Sequence, residues 1–403
     1  MGIQITIAAT VSRKGGQFIS HYIGHLIQAV ICLLIGLGKG AHGRTVFHCG
    51  IDRFHVPVME AIFPGSTHVA LNKNNVRDNN KSDILMASGP LCGNMAEHFK
   101  GLMIYCDPER SKVLCAYPRY NTILYLGPEW SLPFHKSDRI GIEIAVSMAA
   151  MFLLHMNGTT LTRILERNPS PMKRSYFIVY ANTHCLPIRE NFYDALVKFF
   201  GNNSGIHALG KCYGSYQKTW LGLDVGAGSN TRDAHMGTNV DFFSNFRYVI
   251  AMENMKDSNP HPGYMTEKLM NAYASGAVPI YYGDRRMMRF FNNDTYIFFD
   301  RDNINNTLLD IARLEADPSA YHKAVTSPVF RNEESMQDFL LMHNGKPTRL
   351  MKFVQKTIRE QLQIIALKND TDFMATNFTP FRVQRHHHHN YQRRYRKKAA
   401  TID

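Results

Sequence analysis

Two carboxylates, a tyrosine and a lysine fall close together between Tyr248 and Asp284, where the chain reads YVIAMENMKDSNPHPGYMTEKLMNAYASGAVPIYYGD. The pattern predicts a strand that delivers Glu253 and Asn254, a Pro/Gly loop, and a helix whose opening turn holds Tyr264, Thr266, Glu267 and Lys268. The first amides of a helix are unpaired and carry partial positive charge, so with Lys268 they suit a diphosphate. Glu267 in the same turn stays ionised in that field and can accept hydrogen bonds from sugar hydroxyls. Taken alone, Thr-Glu at a helix start is also an ordinary capping pattern.

A second stretch, YANTHCLPIRENFYDAL from Tyr180 to Leu196, puts Asn182 just after a strand and Arg189 at a helix start. A guanidinium there can grip phosphate oxygens through two parallel bonds, or it can pair with the neighbouring Glu190 at the surface. Cys185 follows that strand and Cys212 follows the next, which leaves either a disulfide in an oxidising compartment or two buried thiols.

Elements that could hold these groups are legible on both sides. Short apolar runs ending in Gly, Pro or Asp predict strands at Thr45–Phe47, Ile84–Ala87, Leu102–Tyr105 and Thr122–Leu126, and the Met- and Ala-rich segment Gly141–Asn157 reads as one helix. The second half alternates: strand Tyr176–Tyr180, helix Glu190–Phe200, strands Ile206–Leu209 and Tyr248–Ala251, helix Thr266–Ser275, strand Val278–Tyr281. A last amphipathic helix is expected over Met351–Ala366. Alternation of this kind means parallel sheets with helices on both faces, which bind ligands at the carboxyl ends of the strands. Asn182, Gly210, Glu253, Gly283 and Asp284 all follow strands.

The string from Tyr248 closely resembles the donor-binding signature of the α-1,3/1,4-fucosyltransferases, glycosyltransferase family 10. Glu-Asn, Tyr-x-Thr-Glu-Lys and Gly-x-Val-Pro-Ile-Tyr-x-Gly occur there in this order. The resemblance implies an α/β fold of the GT-B type, with two Rossmann-like domains facing across a cleft. It implies an inverting transfer of fucose from GDP-fucose to a glycan hydroxyl on a glycoprotein or glycolipid. It also implies a donor site lined by Asn182, Arg189, Glu253, Asn254, Tyr264, Thr266, Glu267 and Lys268, with Glu267 among the catalytic groups. In the first half, SDILMASGPLCGNMAEHFKGLMIYCDPERS is similar to the family's strand Asp, Pro loop, second strand and Glu, with Asp83 opening a strand and Glu109 as the base. Glu129, in YLGPEW, competes for that role. Asp300, Arg301 and Asp302 form an Asp-x-Asp triplet, but the expectation is that no metal is required and that Mn²⁺ or Mg²⁺ stimulates only through the diphosphate. Other readings are an inactive glycan- or nucleotide-binding relative, or a GT-B transferase for another nucleotide sugar.

The 403 residues, formal charge +13 and 44% hydrophobic composition suit two domains that meet an acidic partner. Nucleic acid is not expected, since no aromatic-interleaved basic strand is present. Seven cysteines without a Cys-x2-Cys pair exclude a structural zinc module. Phe18 to Leu37 is nearly apolar behind Arg13 and Lys14, and reads either as a single-pass anchor with a cytosolic N-terminus or as a buried helix. Asn-x-Ser/Thr triplets, at Asn293 and Asn305 among others, would permit glycosylation in a Golgi lumen. The expected divisions are an N-terminal segment 1–43, an acceptor-side domain 44–170, a nucleotide domain 171–345, a helix 346–370 and a basic tail 371–403.

Overall fold

The computed structural model describes residues 45–49, 55–72, 83–87, 99, 101–106, 123–127, 140–155, 158–167, 174–201, 204–216, 238–254 and 263–371. The apolar stretch 18–37, Glu109, Glu129 and the basic tail lie outside them. Among the described residues no helix is long and apolar enough to cross a membrane.

The first half forms a parallel sheet from β1 (Thr45–Cys49), β2 (Thr67–Ala70), β3 (Ile84–Ala87), β4 (Leu102–Cys106), β5 (Ile123–Gly127) and β6 (Ile140–Ala145), in the order β2-β1-β3-β4-β5-β6. Helices α1 (His55–Ile62), α2 (Met148–His155) and α3 (Gly158–Glu166) accompany it. All four residues of β3 are buried, as a strand covered on both faces requires. Asp83 sits at the amino end of β3, opposite the carboxyl ends, where its backbone carbonyl accepts from Leu102 N at 3.2 Å.

Gly141–Asn157 is not one helix. Its beginning is strand β6, and only Met148–His155 is helical. Ile140, Ile142 and Ile144 alternate with Gly141, Glu143 and Ala145 in a strand period, but the run joins directly onto α2, which is buried nearly all round and shows no apolar stripe to mark where a helix begins.

The second half is a parallel sheet ordered β11-β10-β9-β7-β8, with β7 Tyr176–Tyr180, β8 Ile206–Ala208, β9 Phe246–Met252, β10 Val278–Tyr282 and β11 Ile297–Phe298. Between and after the strands run α4 (Pro187–Phe200), α5 (Thr238–Phe243), α6 (Glu267–Ala274), α7 (Ile304–Ala316), α8 (Pro318–Thr326), α9 (Glu333–Phe339) and α10 (Arg349–Thr371). The order reverses at β7: β8 pairs on one side and β9 on the other, which opens a crevice above the β7–β9 junction.

Four features tie the halves together. Helix α3 packs on α6. After it, buried Arg167 donates to the carbonyls of Ala324 and Val325 at 2.7 and 2.9 Å, and Arg174 donates to those of Ser244, Phe246 and Ser275. The amide of Ala149, at the start of α2, donates to Met265 O at 2.8 Å. Helix α10 returns to α1 and β4, where Gln355 Nε2 donates to Ala61 O at 2.9 Å.

Candidate functional site

Strand β9 buries five consecutive residues and ends by placing Glu253 1% exposed against the start of α6. Its amide extends the ladder by donating to Tyr282 O at 2.8 Å. Every contact to its carboxylate comes from a donor. Thr266 N donates to Oε1 at 2.8 Å, Thr266 Oγ1 to Oε2 at 2.6 Å, and Tyr281 OH to Oε1 at 3.5 Å; Lys268 Nζ lies 3.7 Å from Oε2. Burial raises the Glu253 pKa above the usual carboxylate value, while Lys268 and the Thr266 bonds pull it back.

This arrangement bears on the capping reading of Thr-Glu. Thr266 holds the N-cap position of α6, yet its side chain makes no capping bond: its hydroxyl donates to Glu253 Oε2, and its oxygen accepts from Lys268 Nζ rather than from a first-turn amide. The first-turn amides are therefore left without a side-chain cap, and Lys268 stands beside them with Nζ 2.9 Å from Thr266 Oγ1 and 3.5 Å from Glu267 Oε1. The preceding loop is held from below by Asp284, whose Oδ2 accepts from Gly263 N at 2.7 Å. Tyr264 is buried within that loop end.

Arg189 lies on the other side of the junction. Pro187 opens α4, and two residues later the guanidinium turns inward, 1% exposed. Its Nη1 donates to His184 O at 2.9 Å and Nη2 to Met252 O at 2.6 Å, so it spans the β7–β9 crevice and holds the residue before Glu253. Its Nε has no partner among the described residues, and neither has Asn182 Nδ2 nor Asn254 Oδ1. Buried polar groups are nearly always paired, so orphans on Asn182 and Asn254, after β7 and β9, and on Arg189, at the start of α4, together suit a polar ligand.

The structure thus gathers Asn182, Arg189, Glu253, Asn254, Thr266, Glu267 and Lys268 around one edge of one sheet. Two roles were not visible in the sequence. Glu253 is the ligand of Thr266 across thirteen residues, and Asp284 anchors Gly263; the only signal was their place at strand ends. Cys185 and Cys212 are joined, with Cα atoms 5.1 Å apart. Glu190 offers an oxygen within 4.8 Å of both sulfurs, but with the sulfurs bonded to each other that group has one free ligand and does not suit a metal. Asp300 is a turn residue: it accepts from the amides of Asp302 and Asn303 and from Asn306 Nδ2, which holds its pKa low.

Residues 172–355 match the family model described as glycosyltransferase family 10 (fucosyltransferase) C-term, as the resemblance of Tyr248–Asp284 implies. The chain is 25% identical over 162 residues to an alpha-(1,3)-fucosyltransferase of Helicobacter pylori, a match covering 40% of this chain and 29% of that one. It is 27% identical over 162 residues to an alpha-(1,4)-fucosyltransferase of Arabidopsis thaliana, covering 38% and 37%. The chain therefore spans about a third of the length of these relatives. A crystal structure of an alpha1,3-fucosyltransferase superposes with a TM-score of 0.52 at 18% identity, covering 84% of this chain and 93% of that one. That likeness shows the fold: two Rossmann-like domains in the GT-B arrangement.

Proposed function

We propose that this chain, whose residues 172–355 carry a glycosyltransferase family 10 domain, is a fucosyltransferase that moves fucose from GDP-fucose to a glycan hydroxyl with inversion, in an α-1,3 or α-1,4 linkage. The reading is carried by one observation. Thr266, bonded to Glu253 and Lys268, does not cap α6, which leaves a helix N-terminus, Lys268 and the unpaired atoms of Asn182, Arg189 and Asn254 at a sheet switch point.

In this reading the diphosphate meets the α6 amides and Lys268, and Glu267 accepts from hydroxyls of the ribose or the sugar. Arg189 contributes charge at the crevice and holds the strand ends; Tyr264 and Asn254 close the pocket around the donor. Glu109 takes the proton of the acceptor hydroxyl as its oxygen attacks the anomeric carbon, and the electrons of the breaking C–O bond leave on the diphosphate. Strand β4 supports this by ending at the carboxyl edge of the first sheet, three residues before Glu109. The leaving group is already weakly basic, so charge stabilisation outweighs any general acid. Mn²⁺ or Mg²⁺ would act through the diphosphate and stimulate without being required. The Cys185–Cys212 bond supports an oxidising compartment, a Golgi lumen in a eukaryotic cell.

A donor screen with a mixed glycan panel tests the reading. GDP-fucose should be consumed and other sugar nucleotides should not, with an equatorial-to-axial change at the anomeric carbon read by NMR. Binding of GDP-fucose without transfer would point to an inactive relative, and turnover of a different donor to another transferase of the fold.

A further inference from the structure

Asn182 and Arg189 belong to one arch, the eight residues that run from the end of β7 into the first turn of α4. The segment after β8 is fastened to this arch along its length. Leu209 N donates to Tyr180 O at 2.9 Å, and Lys211 N donates to Asn182 O at 2.8 Å. Gly210 lies so close that an added Cβ would stand 2.2 Å from Asn182 O. Cys212, 1% exposed, is bonded to Cys185 in the middle of the arch. Glu190 then clamps both sides: Oε2 accepts from Gly214 N at 2.7 Å, and Oε1 accepts from the buried Tyr180 hydroxyl. Asp194 repeats the clamp one turn later on Ser215 N and Oγ, at 2.8 and 2.6 Å. The neighbour of Cys185 is His184, whose carbonyl holds Arg189.

These attachments fix the arch at Asn182 and Cys185 and, through Glu190, beside Arg189, so they brace the two arch residues that carry unpaired buried atoms, Asn182 and Arg189. We infer that Glu190 and the Cys185–Cys212 bond are positioning elements for the donor pocket: they fix the arch from Asn182 to Arg189, so nucleotide affinity depends on them while the transfer step does not. The inference rests on the GDP-fucose reading of the pocket.

The test is GDP binding by titration calorimetry, with donor KM and kcat, for the full chain, Glu190→Ala, Glu190→Gln and the double variant Cys185→Ser/Cys212→Ser. Glu190→Ala should raise the GDP Kd about tenfold, the effect of weakening one hydrogen bond to a charged group. Its kcat at saturating donor should be unchanged. Glu190→Gln, which keeps an acceptor for Gly214 N, should recover most of the affinity, and the double cysteine variant should behave like Glu190→Ala. A purely structural role would lower the unfolding midpoint with Kd unmoved. That result, in Glu190→Ala and the cysteine variant alike, overturns the inference, as does a fall in kcat without a change in Kd. If the unaltered protein fails to bind GDP, the donor reading itself is wrong and the inference goes with it.

Discussion

Lys268 is the residue on which the electrostatics of the site turn. About a quarter of its side chain is exposed, and it is pulled between Glu253 and Glu267. Glu253 cannot leave, because Thr266 occupies both its oxygens. A diphosphate therefore competes for an ammonium already held near the helix start rather than for one free in solution, which lowers the entropy cost of recruiting it. Lys268→Ala should raise donor KM about 10- to 100-fold, the range expected for losing a hydrogen bond to a charged group, with the unfolding midpoint nearly unchanged. Unchanged kinetics would remove the lysine from the site. Glu253 gives a separate prediction. Its raised pKa means that the folded state holds a proton at pH values where the unfolded chain has lost it. Stability from this group therefore falls as pH rises from the ordinary carboxylate pKa toward the raised one. Urea midpoints across that window should fall less steeply for Glu253→Gln than for the unaltered protein. Parallel slopes would show that the Thr266 and Lys268 contacts fully offset the burial.

At the scale of elements, the site is made by strand ends approaching one another, and glycine sets how close they come. Gly210 lies against the Asn182 backbone, with nothing between them that could shift. Gly210→Ala should cost about 1–3 kcal/mol, the usual range for overpacking, and should lower GDP affinity because the loop that moves is the one that braces Asn182. A stability loss without an affinity change would separate the loop from the pocket. The same scale shows what a sequence can reveal. Tyr176–Tyr180 and the helix opening at Thr266 were legible because apolar runs there are bounded by Gly, Pro and polar punctuation. The gathering of Asn182, Glu253 and Asn254 at those strand ends was legible for the same reason. The boundary between strand β6 and helix α2 was not, since α2 is buried nearly all round and lacks the stripe that tells helix from strand, and the short alternation of β6 runs straight into it. Strand β2 was missed because Thr67–Ala70 is a half-exposed edge with little apolar content. The inward turn of Arg189 was also hidden: Arg next to Glu at a helix start describes a surface pair equally well, and the carbonyls of His184 and Met252 that hold it inside are not visible in the sequence.

For the whole molecule, catalysis in this reading needs the two sheets held at one separation, and α10 is the element that spans both. It starts beside α9 of the nucleotide half and lies across α1 and β4 of the other. Met351, Val354 and Ile358 enter the continuous core at 0%, 1% and 1% exposure, while Phe353 on the opposite face is 54% exposed. Such a helix has little stability of its own away from its apolar stripe. Ile358→Ala should therefore cost about 2–5 kcal/mol, the range for emptying a buried aliphatic site. Because the cavity opens where the halves share a core, amide exchange protection should fall in β4 and β10 together. Gln355→Ala removes only the bond to Ala61 O and should cost about 1 kcal/mol. If Ile358→Ala loosens β10 and leaves β4 protected, α10 couples to the nucleotide half alone, and the halves are held together by the α3–α6 packing, Arg167 and the α2–Met265 contact instead.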